Sequence, residues 1–368
     1  MIADERFLNY AAREIAAIAG AGNVVPEYLG ASVSVVKIGA EPEGLLARLR
    51  EADPVFISML IPVIGAIPVS GTDIDRIADA LPGIIGGGHT FRIEAVKAGA
   101  HPDVSAKGIE VAIGERMERN GFRIDLASPE VMVYLILEGG RVLVASARAC
   151  DTDDRTIDHF RLENRSNDRL NRSELKLKEA FAAFGIGGAM GRCLDVGAAP
   201  GGWTDFLARR GSGVVAIDAG LLDYRNLRAG RITVVEKVGG AYLEREFSGG
   251  GLGGAAPFSG QGPRAHDVVH LKGAVDDFGD ALKGMAPFDL ACIDMNVAPM
   301  ESAGVAVRLA ELLVEGSPMV MTIKLTDISY VERLDRIREA LSARYSGIRI
   351  KKLPHNRMEL TLFAVRSR

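Results

Sequence analysis

At 368 residues and 48% hydrophobic, the chain is long enough to bury two or three cores and to form more than one domain. Its formal net charge of −4 excludes overall attraction to a polyanion, so a nucleic-acid partner has to be met by local basic clusters. Three widely spaced cysteines, Cys150, Cys193 and Cys292, exclude a disulfide framework and a C-x-x-C zinc site, and no metal is expected.

The first block, residues 1–80, begins with acids where a secretory leader carries basic residues. Phe7, Ala11, Ile15 and Ile18 recur at helical spacing, and Ser32 to Ile38 reads as a strand. A short helix follows near Gly44 to Leu49, then a strand over Val55 to Met59. The uncharged run from Pro54 to Thr72 is broken by Pro62, Pro68 and Gly71, which favours buried strands over a membrane span. A cytoplasmic protein with a small α+β domain at this end is expected.

In the second block, residues 81–150, Phe91 to Val96 alternates as a strand and Ser105 caps a helix running through Met117. Val131 to Leu137 and Val142 to Ser146 form a hairpin around Glu138-Gly-Gly. Residues 151–167 are polar and charged and read as a linker. The third block, 168–368, alternates apolar strands (Leu194 to Val196, Val214 to Asp218, Phe288 to Asp294, Met319 to Lys324, Leu360 to Val365) with helices near Ser302 to Val314 and Tyr330 to Ala343. That is the pattern of a doubly wound α/β sheet. Its Gly-rich stretch 239–266 offers little apolar surface and reads as a flexible insertion without chemistry. Basic charge concentrates here: Lys324 to Arg368 holds eleven Lys/Arg against five Asp/Glu, and Arg161 to Lys178 six against three.

The turn Asp195-Val-Gly197-Ala198-Ala-Pro200-Gly201-Gly202-Trp203 joins a strand to a helix. Its glycines permit unusual backbone angles and close approach of a ligand, while Pro200 stiffens the bend. Asp218, about 20 residues on, closes the next strand where an acid can accept hydrogen bonds from ribose hydroxyls. The glycine order is not G-x-G-x-x-G, and no Gly-Lys-Ser/Thr follows to hold phosphate. An adenosine without phosphate, as in S-adenosylmethionine, fits better than NAD or ATP. Asp294 and Lys324 each end a buried strand on the side where open α/β sheets bind ligands. A partly desolvated lysine there can have its pKa drawn down toward neutrality and take a proton from a hydroxyl, with the carboxylate orienting it.

These residues resemble the FtsJ-like ribose 2′-O-methyltransferases, a Rossmann-like S-adenosylmethionine fold with a Lys-Asp-Lys-Glu tetrad. The family's helix motif is matched by Asn171-Arg-Ser-Glu-Leu-Lys176-Leu-Lys-Glu179 and its Gly-rich turn by Asp195 to Trp203. Its later strands are matched by Ile293-Asp294-Met295, Ile323-Lys324 and Arg357-Met-Glu359. The resemblance implies that Lys176, Asp294, Lys324 and Glu359 form the tetrad. It also implies that Asp195, Gly197, Ala198, Pro200, Gly201, Gly202, Trp203 and Asp218 line the donor site, with either Asp276 or Asp277 reaching the adenine. The second block resembles a THUMP RNA-binding domain through Thr90 to Pro102, Ser105 to Ile109 and Asp125 to Pro129, and the first resembles the ferredoxin-like domain that often precedes it. The layout is similar to that of bacterial 23S rRNA cytidine ribose methyltransferases, down to the ending His355-Asn-Arg-Met-Glu359.

The resemblance implies methylation of a ribose 2′-hydroxyl in structured RNA, rRNA or tRNA, with S-adenosyl-L-methionine as donor. Amino-group methylation of a base would need Asp/Asn-Pro-Pro-Tyr/Phe where this chain has Asp294-Met-Asn-Val, and a deaminase would need paired zinc cysteines. The alternative is an RNA-binding or assembly protein whose methyltransferase fold no longer turns over. Arg92 and Lys97 are the residues of the second block chosen to test RNA binding.

Overall fold

The computed structural model describes residues 1–148 and 173–368, apart from 2, 21, 23, 31–32, 40–41, 70–72, 99–104 and 189. The expected linker 151–167 lies outside the described residues. The chain divides into two compact units, Met1–Ile157 and Asp158–Arg368. Among the described residues no helix is long and apolar enough to cross a membrane.

The first unit opens with helix α1 (Leu8–Ala19), the hairpin β1 (Glu27–Gly30) and β2 (Val33–Val35), and α2 (Pro42–Ala52). Then come β3 (Val63–Pro68), α3 (Ile74–Ile85), β4 (Thr90–Ala98), α4 (Ala106–Arg119), β5 (Arg123–Ile124), β6 (Val131–Glu138) and β7 (Arg141–Arg148). These five strands form one sheet in the order β3-β7-β6-β4-β5. The run Val131 to Leu137 is apolar throughout because β6 is covered on both faces. Val133 and Leu135 pack with Ile77, Ile109 and Ile113 of the helices, while Met132, Tyr134 and Ile136 pack with Val33 and Met59. As the sequence suggests, the Ser105 hydroxyl caps α4, accepting the Gly108 N–H at 2.9 Å.

Two expectations for this unit change. The border at residue 80 does not divide the packing, because β3 pairs with β7 and Ile67, Ile77 and Leu81 share a core with Phe91 and Val133. Val55 to Met59 is not a strand. The backbone donors of Val55 and Phe56 go instead to the Glu14 carboxylate, at 2.7 and 2.9 Å, and the Phe56 ring stacks on Phe7.

The second unit runs α5 (Ser173–Phe184), β8 (Arg192–Val196), α6 (Gly202–Arg209), β9 (Gly213–Asp218), β10 (Ile232–Val238), β11 (Ala241–Ser248), β12 (Gly251–Leu252), β13 (Ala256–Pro257) and β14 (Val268–Lys272). It continues with α7 (Gly279–Met285), β15 (Leu290–Ile293), α8 (Pro299–Leu309), β16 (Pro318–Lys324), α9 (Leu334–Ser342), β17 (Tyr345–Lys351) and β18 (Glu359–Arg366). The sheet order is β12-β11-β10-β14-β9-β8-β15-β16-β18-β17. Strands β14, β9, β8, β15 and β16 are parallel and β18 runs against β16. The winding reverses between β8 and β15, so ligands are expected beyond the carboxyl ends of these strands. This is a Rossmann-like doubly wound sheet with an antiparallel edge.

The Gly-rich stretch 239–266 is not structureless. Gly239 and Gly240, at φ +57° and +86°, make a tight turn suited to a twisted hairpin, which folds β11 back on β10; β12 and β13 in turn pair with β11. The hairpin extends the sheet past β14, and its Tyr242 stacks on Phe278 and donates to the Asp277 carbonyl at 2.9 Å.

Candidate active site

The Gly-rich turn leaves β8 and enters α6. Gly197 takes φ +79°, and a Cβ there would lie 2.6 Å from the Asp294 carbonyl oxygen, so only glycine lets the β8 and β15 ends come together. Gly197 and Ala198 donate to the Ile217 carbonyl, at 2.9 and 3.2 Å, and Gly201 precedes the first residue of α6. Asp218, at the end of β9, accepts the Ala199 N–H at 3.0 Å and the Gly220 N–H at 2.7 Å, so it pins the turn. Beneath it the buried His270 ring holds the Asp218 carbonyl through Nε2 (3.1 Å) and Tyr224 Oη through Nδ1 (2.6 Å). A carbonyl only accepts, so Nε2 donates and Nδ1 takes the phenol proton. Burial lowers the His270 pKa to about 4, in keeping with a neutral ring.

Asp195 is wholly buried. The Thr204 hydroxyl donates to its Oδ2 at 2.6 Å, while Oδ1 has no hydrogen-bond partner. Burial pushes its pKa up to about 7, with Thr204 opposing and the charges of Asp294 and Asp218 adding to the rise. Trp203, expected at the donor site, is also buried; its Nε1–H donates to the Ser173 carbonyl at 2.8 Å and ties the turn to the first residue of α5. Asp276 and Asp277 lie in a 3-10 turn after β14, at the same end of the sheet as Asp218, whose carbonyl accepts the Gly273 N–H. Asp277 accepts the Ala274 N–H at 3.1 Å and closes that turn, and exposed Asp276 pairs with Arg308 at 3.2 Å.

Lys176, Asp294, Lys324 and Glu359 come from α5, the end of β15, the end of β16 and the start of β18, and they converge. Lys324 and Glu359 are directly opposed in the antiparallel β16/β18 register. The Lys324 ammonium lies 2.5 Å from Asp294 Oδ1 and 2.7 Å from Glu359 Oε2. Lys176 is hydrogen-bonded to Glu359 Oε1 and lies 3.9 Å from Asp294 Oδ2. Two ammoniums and two carboxylates thus alternate in a closed ring of zero net charge. The acids are 14% and 7% exposed and the lysines 18% and 21%, so the ring is sheltered while its amines still reach solvent.

Lys324 is not drawn down toward neutrality. Burial disfavours its charge, but the Asp294 and Glu359 carboxylates outweigh burial and raise its pKa. Glu359 moves the other way: burial pushes it up, and the hydrogen bonds and charges of Lys176 and Lys324 hold it below the usual carboxylate range. The resting site therefore holds an ammonium at Lys324. Sequence reasoning also missed Thr322, two residues before Lys324 on the same face of β16, whose hydroxyl donates to Asp294 Oδ1 at 2.7 Å. A lone polar residue in the run Met319 to Ile323 was the available signal.

The sequence pattern of the FtsJ-like methyltransferases matches residues 170–304. The chain is 29% identical over 209 residues to ribosomal RNA large subunit methyltransferase M of Pseudomonas putida (strain W619), covering 49% of this chain and 54% of the relative. It is 43% identical over 77 residues to the protein of that name from Shewanella denitrificans, covering 18% and 20%. The chain thus spans about half the length, or less, of these curated relatives. Among solved structures, TrmN from Thermus thermophilus aligns over 98% of this chain and 97% of its own at 16% identity, with a TM-score of 0.36. The FtsJ-like methyltransferase pattern thus falls on residues 170–304, and the side chains that meet in the ring come from that stretch and from the two strands, β16 and β18, that follow it in the same sheet.

Proposed function

We propose that the chain transfers a methyl group from S-adenosylmethionine to a ribose 2′-hydroxyl of structured RNA, with large-subunit ribosomal RNA favoured over tRNA. The observation that carries this reading is the closed ring of Lys176, Asp294, Lys324 and Glu359 beside the Gly-rich turn. The names of the relatives favour ribosomal RNA, a cytoplasmic substrate in bacteria.

The residues fit the donor. The unpartnered Asp195 Oδ1 and the cradle that Gly197 alone permits suit a small zwitterion and an adenosine, and Asp218, at the end of β9 against the turn, would take the ribose hydroxyls. Asp276 or Asp277 would reach the adenine. When bound, the donor supplies a methyl group on a positively charged sulfur. The chain's own task is to align the 2′-oxygen in line with that methyl and to steady the charge growing on it. Lys324, an ammonium, donates to the 2′-oxygen; Asp294, fixed by Thr322, aims it, and its Oδ2 takes the proton that the 2′-hydroxyl loses as the methyl group is transferred; Glu359 and Lys176 close the ring so that no charge is left unpaired when substrate enters. An RNA-binding scaffold without turnover has no need for this balanced cluster.

In the first unit, a THUMP-like RNA-holding role rests on the sequence resemblance. Arg92 is unsuited to test it, since its guanidinium is held by Glu94 at 2.7 Å and by the Leu126 carbonyl at 3.1 Å; Arg92→Ala would damage the fold. The deciding experiment supplies the purified chain with methyl-labelled S-adenosylmethionine and either rRNA or tRNA, then maps the modified position. Label on a ribose 2′-oxygen of rRNA is expected. Label on a base, or none on either RNA, overturns the reading.

A further inference from the structure

Glu179 lies on α5 three residues after Lys176, on the same side of the helix, and has no exposed surface. Its Oε2 accepts the His355 backbone N–H at 2.9 Å, and its Oε1 is hydrogen-bonded to His355 Nδ1. His355 stands four residues before Glu359. The same helix and the same chain segment are therefore joined twice, by Glu179 to His355 and by Lys176 to Glu359. The acid sits on the helix in the first contact and on the segment in the second.

The segment is itself stiff. Asn356 Oδ1 accepts the Leu353 N–H at 2.9 Å and the Thr361 hydroxyl at 3.0 Å, Lys352 Nζ is hydrogen-bonded to the Asn356 carbonyl, and the Met358 carbonyl accepts the Leu325 N–H at 2.8 Å. Leu325 directly follows Lys324, so the segment is also tied to the end of β16. A sideways slip of α5 by one residue would break both contacts at once. The inner contact belongs to the ring; the outer one, on the wholly buried Glu179, can hold register beneath it.

We propose that Glu179 and His355 are a positioning pair: they fix the register of α5 against the turn 352–358 and so deliver Lys176 to Glu359 for ribose methyl transfer. The proposal rests on the function stated above for its kinetic consequence, while its geometric content stands apart from it.

The test compares Glu179→Leu, which removes both hydrogen bonds, and His355→Ala, which removes the ring contact and leaves the backbone N–H on Oε2, with Glu179→Gln and His355→Asn, which keep a hydrogen-bonding group in the same place. The disruptive variants should lower kcat about 10- to 100-fold while KM for donor and RNA stays within about twofold. The double variant should be no worse than Glu179→Leu alone, because the bond that His355→Ala removes is already lost with the carboxylate. The conservative variants should recover kcat to within about threefold of the wild type, a result that general loosening of the fold would not give. A crystal structure of Glu179→Leu, in which the whole tie is gone, should show Lys176 displaced from Glu359. The proposal is overturned if the disruptive variants keep wild-type kcat, if the conservative variants do no better than they do, or if Lys176 still sits on Glu359 in that structure. A wild-type protein inactive on RNA would sink the functional reading, and the crystal structure would still decide the register claim.

Discussion

Glu174 and Lys178 leave one side of α5 to join Arg209, Arg228 and Asp205, whereas Lys176 leaves another to join Asp294, Lys324 and Glu359. The two clusters are built from similar charges in similar shelter. In the first, Arg209 and Arg228 bind Asp205 at 2.9 and 2.6 Å, and both also face Glu174, so planar guanidiniums lock two wholly buried acids into one geometry. In the second, the cations are lysines, single-point donors on flexible stems that can release a carboxylate and turn to a substrate oxygen. The first cluster joins α5 to α6 and to the chain after β9; the second stands where the strands end. Two arginines, with Lys178 beside them on Glu174, hold the frame, and the second cluster's lysines are left to work inside it.

Substitution should separate the two. Lys324→Ala is expected to cost about 10³-fold or more in single-turnover rate, since it removes the donor to the reacting oxygen, with donor affinity by calorimetry within about threefold of wild type. Near-normal turnover by this variant would remove Lys324 from the chemistry. Arg209→Ala should do the reverse. It strips a partner from two buried acids and is expected to cost about 3 kcal/mol in urea unfolding, while the folded fraction keeps most of its rate. Should Arg209→Ala instead match Lys324→Ala in rate loss at unchanged stability, the division between the clusters fails.

The sequence disclosed these clusters unequally, for physical reasons. Strands β8, β9, β15, β16 and β18 announce themselves because burial on both faces makes them mostly apolar runs, and Asp294 and Lys324 stand out as the charges that end two of them. Lys176, on a helix with other lysines nearby, and Glu359, at the start of a strand, carry no local signal; only family resemblance pairs them. Strand β11 and the edge strand β17 carry no clear signal because half-exposed strands such as Ala241-Tyr-Leu-Glu-Arg-Glu-Phe-Ser and Tyr345-Ser-Gly-Ile-Arg-Ile-Lys alternate weakly and carry charge. Val55 to Met59 misled in the opposite direction: its β-like composition serves side-chain packing, while its backbone is satisfied by Glu14. The Arg209 network, whose partners lie up to 54 positions apart from Glu174 to Arg228, has no sequence signature at all.

Thr322 offers a finer test of the lysine cluster. Thr322→Val removes the hydroxyl that fixes Asp294 Oδ1 but keeps the branched shape, so stability should change by no more than about 1 kcal/mol. Asp294 then retains Lys324 but loses its second anchor, and a rate loss of about 10-fold is expected from the looser aim of the amine. An unchanged rate would reduce Thr322 to a packing residue.

A titration sharpens the comparison most, because it concerns an acid that belongs to neither cluster. Asp195 is buried without a cation, and its native pKa of about 7 lies well above the unfolded value of about 3.9. Between those two values the native state holds a proton that the unfolded state has lost, so stability must fall as pH rises through this window, at no more than about 1.4 kcal/mol per pH unit. Carboxylates held by cations, such as Glu359, act with the opposite sign: their stabilisation is present above the unfolded pKa and is lost as pH falls through the lowered native value. Asp195→Asn should therefore gain on the wild type in urea unfolding as pH goes from 4 to 7, and bind S-adenosylmethionine about 10-fold more weakly, if the unpartnered Oδ1 is kept for the donor's ammonium. A variant whose stability tracks the wild type across that range, with unchanged donor affinity, would make Asp195 an ordinary buried acid satisfied by Thr204 alone.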